Sequence, residues 1–149
     1  MLKTMVFGTF DIFHEGHKNF LKQARKYWMP PRIGVRGDKK VRHDKVYLVA
    51  VVARDKTVLE VKGKLSKNNE KKRLMVVKKS GLADEVVLGR INDKYALIKK
   101  YKPDIICLGY DQKYFVSGLK KKIKKFNLKT KIKQLKPYKP SIYKSSRLQ

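Results

Sequence analysis

Cysteine is nearly missing from this chain: Cys107 is the one thiol among 149 residues. A lone thiol rules out an internal disulfide, and without a CxxC pair or a Cys/His cluster nothing suggests structural zinc. Its setting, IICLG, reads as a thiol buried in a strand. Long apolar runs are missing too. None approaches the roughly 20 residues that a helix needs to cross a bilayer. The N-terminus MLKTMVFGTF also lacks the charged-then-apolar order of a signal peptide. A cytoplasmic location and no membrane partner are therefore expected. Acidic residues are the third scarcity, 12 against 39 lysines and arginines, which leaves a net charge of +27. Such an excess attracts polyanions nonspecifically at low salt. Only eight of the basic residues are arginine, the side chain whose planar fork suits specific phosphate recognition. The lysines are spread along the chain, so the charge reads first as compositional.

What is present suits one globular domain, with 42% hydrophobic residues and length enough for a core. Strand-like apolar runs alternate with helical periods. Leu2 to Phe7 reads as a strand, and Glu15 to Tyr27 as a helix with Phe20, Leu21 and Ala24 inward. Val46 to Ala53, VYLVAVVA, is the continuous apolar run of a parallel strand covered on both faces. Glu70 to Lys79 reads as a helix, Glu85 to Leu88 as a short strand, and Asp93 to Tyr101 as a helix ended by Pro103. Asp104 to Leu108 follows as a buried strand, Leu119 to Phe126 as a helix and Lys131 to Leu135 as a last strand. Strand–helix–strand repetition predicts right-handed crossovers and an α/β, doubly wound parallel sheet in a single domain.

Two segments break the rhythm. Trp28 to Lys45 contains Pro-Pro and two glycines without any period, so it reads as an inserted, solvated loop. Residues 136–149 are rich in Pro, Ser and Lys and read as a basic tail beyond a domain spanning 1–135.

The stretch that carries chemistry is GTFDIFHEGH, Gly8 to His17. It follows the first strand and leads into the first helix, where open parallel sheets bind ligands. Gly8 is expected to admit a close backbone approach, and amides at a helix start suit phosphate. His14 and His17, as donors, would stabilise charge developing on phosphoryl oxygens or on a leaving pyrophosphate. A metal site would need a third protein ligand. The remaining histidine, His43, falls in the irregular loop, so no protein-held metal is expected.

GTFDIFHEGH resembles the (H/T)xGH signature of the cytidylyltransferase-like nucleotidyltransferases. The likeness continues, in family order, through VARDKTV (52–58), the KGK at 62–64, NEKKR ending at Arg73, LADEVVLG (82–89) and KPDIICLGYDQ (102–112). Together these stretches look most like the archaeal-type FAD synthetases, with glycerol-3-phosphate cytidylyltransferase next. The resemblance implies a Rossmann-like fold and direct transfer of a nucleotidyl group from ATP or CTP to a phosphate-bearing acceptor, with FMN first among acceptors. It also implies Mg²⁺ or another divalent cation bound with the nucleotide, and the homodimer usual in the family. By position, His14, His17 and Gly16 would meet the phosphates, and Thr9 and Phe10 would line the phosphate and base site through their backbone. Asp11 would lie near the acceptor and metal. Lys62 or Lys64 would reach the phosphates, and Arg73 would face the site. Gly109, Asp111 and Gln112 would border the nucleotide pocket. Ser146 and Arg147 match an S-S/T-x-[IL] element that binds triphosphate.

Each position has a plainer reading. Arg54 and Asp55 would then be a local ion pair and helix cap, Lys62 and Lys64 two more surface charges, and Gly109 a strand end. The alternatives for the whole chain are a cytidylyltransferase acting on glycerol 3-phosphate and a basic nucleic-acid-binding protein on an inactive scaffold. No aromatic-basic RNA-binding motif supports the latter.

Overall fold

Seven residues from Val46 to Val52 form the strand on which the rest is laid, because β-branched side chains on both faces demand cover from two sides. The structure, a computed structural model, describes residues 2–27, 46–91, 95–109 and 113–135, of which 26–27 and 113–117 by backbone alone. In chain order the described elements are β1 (Leu2–Gly8), α1 (Glu15–Tyr27), β2 (Val46–Val52), α2 (Asp55–Lys62), α3 (Glu70–Ser80), β3 (Glu85–Leu88), α4 (Ala96–Tyr101), β4 (Ile105–Leu108), α5 (Lys113–Lys125) and β5 (Lys131–Gln134).

The five strands form one sheet in the order β3-β2-β1-β4-β5, every pair parallel. β1 lies at the centre, with Leu2 to Gly8 against Val46 to Val52 on one side and Thr4 to Val6 against Ile105 to Cys107 on the other. The chain leaves β1 in one direction and later returns to its opposite edge. The switch point therefore falls between β1 and β4, at their carboxyl ends. Alternate residues point to opposite faces. Val6, Leu48, Ala50, Val52 and Cys107 pack with Leu21 and Ala24 of α1 and Val77 of α3. Met5, Val49, Val51, Ile106 and Leu108 pack with Leu97 and Ile98 of α4 and Leu119 and Ile123 of α5. The doubly wound sheet expected from the alternation is the observed one. Cys107 is fully buried, and burial pushes its thiol up to about 12, which makes it inert.

Local signals set the helix ends. The Asn69 side chain caps α3 by accepting the Lys72 amide at 2.8 Å, and Gly63 and Gly81 close α2 and α3 in the left-handed conformation. α4 stops at Lys102, itself left-handed at φ 47°, just before Pro103. Two helices depart from the sequence expectation. α2 has no apolar stripe to announce it: Val58 alone is buried, while Leu59 and Val61 face outward. α5 begins at Lys113 rather than Leu119, its interior Gly118 having hidden the period. A Cβ on Gly118 would run into the Tyr95 hydroxyl, so the close approach of helix and tyrosine requires glycine.

At the amino ends of the strands, the Tyr47 hydroxyl donates to Glu85 Oε1 at 2.7 Å and the Tyr101 hydroxyl donates to Glu85 Oε2. These two donors, Tyr101 foremost, hold the Glu85 carboxyl below its ordinary range. Among the described residues no helix is long and apolar enough to cross a membrane. The expected loop 28–45 and tail 136–149 lie outside the described residues.

Candidate active site

The carboxyl end of β1 turns sharply, and the turn is built from aromatic rings. Phe10 and Ile12 adopt left-handed backbone at φ 54° and 49°, unusual for side chains of this size and a sign of local strain. The strain lets the Phe10 ring fold back beneath the turn. A Cβ on Gly8 would lie 2.9 Å from that ring. The turn as folded thus leaves little room for a side chain at position 8, where the Phe10 ring lies close. Phe10 is buried, its ring edge-on to His17 at 5.6 Å and tilted against Phe13 and Phe20, each at 6.4 Å.

On this base stand the two histidines. Their rings stack at 3.9 Å and 21°, with Phe13 stacked on His17 at 5.6 Å. The Gly16 amide donates to His14 Nδ1 at 3.0 Å, and the His14 amide donates to His17 Nδ1 at 3.3 Å. An Nδ1 that accepts an N–H leaves the proton of a neutral imidazole on Nε2. Both rings are therefore fixed as Nε2–H donors. The Gly16 amide serves this purpose for His14. Burial, then the neighbouring His14 and Lys62 charges, push His17 down to about 3. Burial also lowers His14, against the opposing pull of Glu15. At neutral pH the pair offers neutral donors, as suits groups that must donate throughout a reaction.

That shift has a measurable sign. An unfolded histidine takes up a proton near 6.5, whereas folded His17 refuses it until about 3. Its contribution to stability is complete above the unfolded value and is lost as pH falls between the two. The folded-to-unfolded ratio should drop by up to about tenfold per pH unit in that window. Urea midpoints of the wild type and of His17→Phe, compared from pH 7 to 4, measure the difference. Parallel curves would contradict the buried neutral ring.

Lys62 ends α2 close enough for its charge to bear on His17, so the structure brings together His14, His17 and Lys62. Lys64 follows the left-handed Gly63 and is exposed. Asp11 is 1% exposed, and its carboxylate accepts the Lys67 amide at 2.8 Å, the Asn68 amide at 3.0 Å and Asn68 Nδ2 at 3.2 Å. The carboxylate expected near acceptor and metal is thus engaged by N–H groups of residues 67 and 68.

Arg73, expected to face the site, is 1% exposed. Its Nε donates to the Asn68 carbonyl at 3.0 Å, its Nη1 to the carbonyls of Thr9 and Ala53 at 2.8 Å each, and its Nη2 to Asp55 at 2.7 Å. The guanidinium joins the histidine turn, the end of β2, the start of α2 and the 68 segment. Thr9 correspondingly turns its carbonyl inward to Arg73.

Residues whose partners the sequence does not give complete this frame. Asp55 and Glu70 cap each other's helices, the Asp55 amide donating to Glu70 at 2.8 Å and the Glu70 amide to Asp55 at 3.2 Å. Arg54 pairs with Glu70 at 3.5 Å, so the local Arg54–Asp55 pair is replaced by two longer-range pairs. Their charges and the Asn69-Glu70 helix start were the only signals available, and neither gives the partner.

Gly109 follows β4, its carbonyl accepting from Gln134 Nε2 at 3.1 Å. Asp111, Gln112, Ser146 and Arg147 lie outside the described residues. Among those described, no three His, Cys, Asp or Glu side chains gather as a metal site.

Comparison with known proteins places this geometry. Residues 5–148 match the cytidylyltransferase-like family. A protein named FAD synthase from Thermococcus sibiricus is 37% identical, the match covering 99% of this chain and 89% of that one. Another of the same name from Methanothermus fervidus is 42% identical over 92% of this chain and 84% of its own. A crystal structure described as a lipopolysaccharide core biosynthesis protein, from Thermoplasma volcanium GSS1, superposes with a TM-score of 0.73. It is 36% identical and covers 93% of this chain and 98% of its own.

Proposed function

The chain belongs to the cytidylyltransferase-like family, and from that premise we propose that it is an FMN adenylyltransferase, making FAD from FMN and ATP. The observation that carries the choice of substrates is the extended identity with relatives named FAD synthase. The paired neutral histidines beyond β1 suit the reaction class.

In the proposed step, an oxygen of the FMN phosphate attacks the α-phosphorus of ATP. The bond from that phosphorus to the bridging oxygen breaks, and pyrophosphate leaves with the electron pair. No covalent enzyme intermediate is needed. His14 and His17 donate their Nε2 protons as hydrogen bonds to the phosphate oxygens, whose negative charge grows in the transition state. Lys62 and Lys64 balance the charge of the departing pyrophosphate, and the first amides of α1 add the field of a helix start. A divalent cation entering with ATP would neutralise part of the triphosphate. Its ligands would be phosphate oxygens and water, the usual habit of Mg²⁺, because the Asp11 carboxylate is engaged by N–H groups. Gly109, Asp111 and Gln112 are assigned to the nucleotide border, and Ser146 and Arg147 to the phosphates, on the family pattern.

The test is one comparison of substrate pairs. FMN with ATP and Mg²⁺ should yield FAD, followed by chromatography, while glycerol 3-phosphate with CTP should yield little product. The reverse preference would overturn the acceptor and leave nucleotidyl transfer standing. No product from any pair would favour the basic binding protein instead.

A further inference from the structure

Four hydrogen bonds close a circuit beneath the histidine turn. Asp11 accepts the amides of Lys67 and Asn68 at 2.8 and 3.0 Å, Arg73 Nε donates to the Asn68 carbonyl at 3.0 Å, and Arg73 Nη1 donates to the Thr9 carbonyl at 2.8 Å. Thr9 is two residues from Asp11, so the circuit returns to its start. One peptide segment is gripped at its N–H side by an acid and at its carbonyl by an arginine. Both of those side chains are 1% exposed.

The gripped segment begins four residues after Gly63, where α2 ends in a left-handed cap. Lys62 and Lys64 flank that glycine. Residues 63–65 and 67 are exposed, so packing does little to hold this stretch. Its restraints are the α2 end on one side and the Asp11 grip on the other. An exposed stretch with few buried contacts opens locally unless hydrogen bonds tie it down.

We propose that Asp11 is a positioning residue, whose buried carboxylate fastens the 67–68 segment to the histidine turn and so fixes where Lys62 and Lys64 stand relative to His14 and His17. The fastening rests on geometry alone. Its catalytic consequence rests on the proposed adenylyl transfer. Three of roughly four lone-pair sites on this carboxylate take N–H donors, so most of its acceptor capacity is committed to the segment it holds. Asp11 instead supplies the acceptors that two adjacent amides need.

Asp11→Asn tests this, since its amide turns a donor towards one of the two N–H groups. Hydrogen exchange of the 63–69 peptide should accelerate by about tenfold or more. Turnover with FMN and ATP should fall by roughly tenfold to a hundredfold, the scale on which small misplacements act. The Mg²⁺ concentration giving half-maximal rate should stay unchanged. Unchanged exchange, unchanged turnover, or activity restored by excess Mg²⁺ would each overturn the assignment. Should Asp11→Asn fail to fold, Asn68→Ala removes one donor to Asp11, and exchange of the same peptide should rise by about fivefold. No change there would count equally against it. A wild-type chain that makes no FAD would sink the proposed reaction, and exchange would still decide the fastening.

Discussion

His17→Phe is expected to lower turnover by roughly two to three orders of magnitude, the usual loss when one preorganised donor at a developing charge is removed. Phenylalanine keeps an aromatic ring between His14, Phe13 and Phe10, so the packing is largely retained. What disappears is the Nε2–H, along with the Nδ1 that accepts the His14 amide. His17→Ala would confound the result, since it also empties a packed position. Initial rates of FAD formation at saturating ATP, beside a thermal melt, separate chemistry from folding. Turnover near that of the wild type in a folded His17→Phe would remove His17 from the proposed mechanism.

The second large effect falls on stability. Arg73→Met should destabilise the chain by about 3–5 kcal/mol, the scale for leaving two or three backbone acceptors inside the fold without a donor. The methionine fills similar space but leaves the carbonyls of Thr9, Ala53 and Asn68 without this donor, and Asp55 without its cation. Arg73→Lys should fall between the two. A compact ammonium cannot reproduce a fork that reaches four acceptors. Urea denaturation measures both variants, and a loss under about 1 kcal/mol for methionine would show that water or neighbours replace the guanidinium readily.

Local patterns made the frame legible. The apolar run of β2 carries its own evidence of two-sided burial, and Pro103 and Asn69 mark helix ends through chemistry confined to a few residues. His14 and His17 were visible because a motif after a strand has a place in a parallel sheet before any coordinates exist. Asp11, Arg73 and Gly8 were visible as residues, and their contacts within the fold were not. Gly8 depends on a ring that a strained backbone folds beneath it. The partners of Asp11 and Arg73 lie 56 to 64 residues away in the bonds to Lys67 and Thr9. An arginine in a motif suggests a ligand contact, and only the folded chain shows that three carbonyls and the Asp55 carboxylate engage its guanidinium. α2 escaped notice for the opposite reason, since one buried valine makes no period.

The central place of β1 also governs the order in which the chain acquires its shape. β1 is made before the other described strands, yet one of its two neighbours, β4, is made about a hundred residues later, as the Lys3–Asp104 bond spans 101 positions. During synthesis β1 can pair with β2 while its other edge waits, with the backbone groups of Lys3 and Met5 still to be paired on that side. Pairings between distant segments close slowly because the intervening chain must first be restrained. The face made by Met5, Val49 and Val51 stays uncovered for the same interval, since α4 and α5 are its lid. The half that holds the histidines is therefore the half that emerges first and matures last, its first strand complete only when the second half has closed beside it.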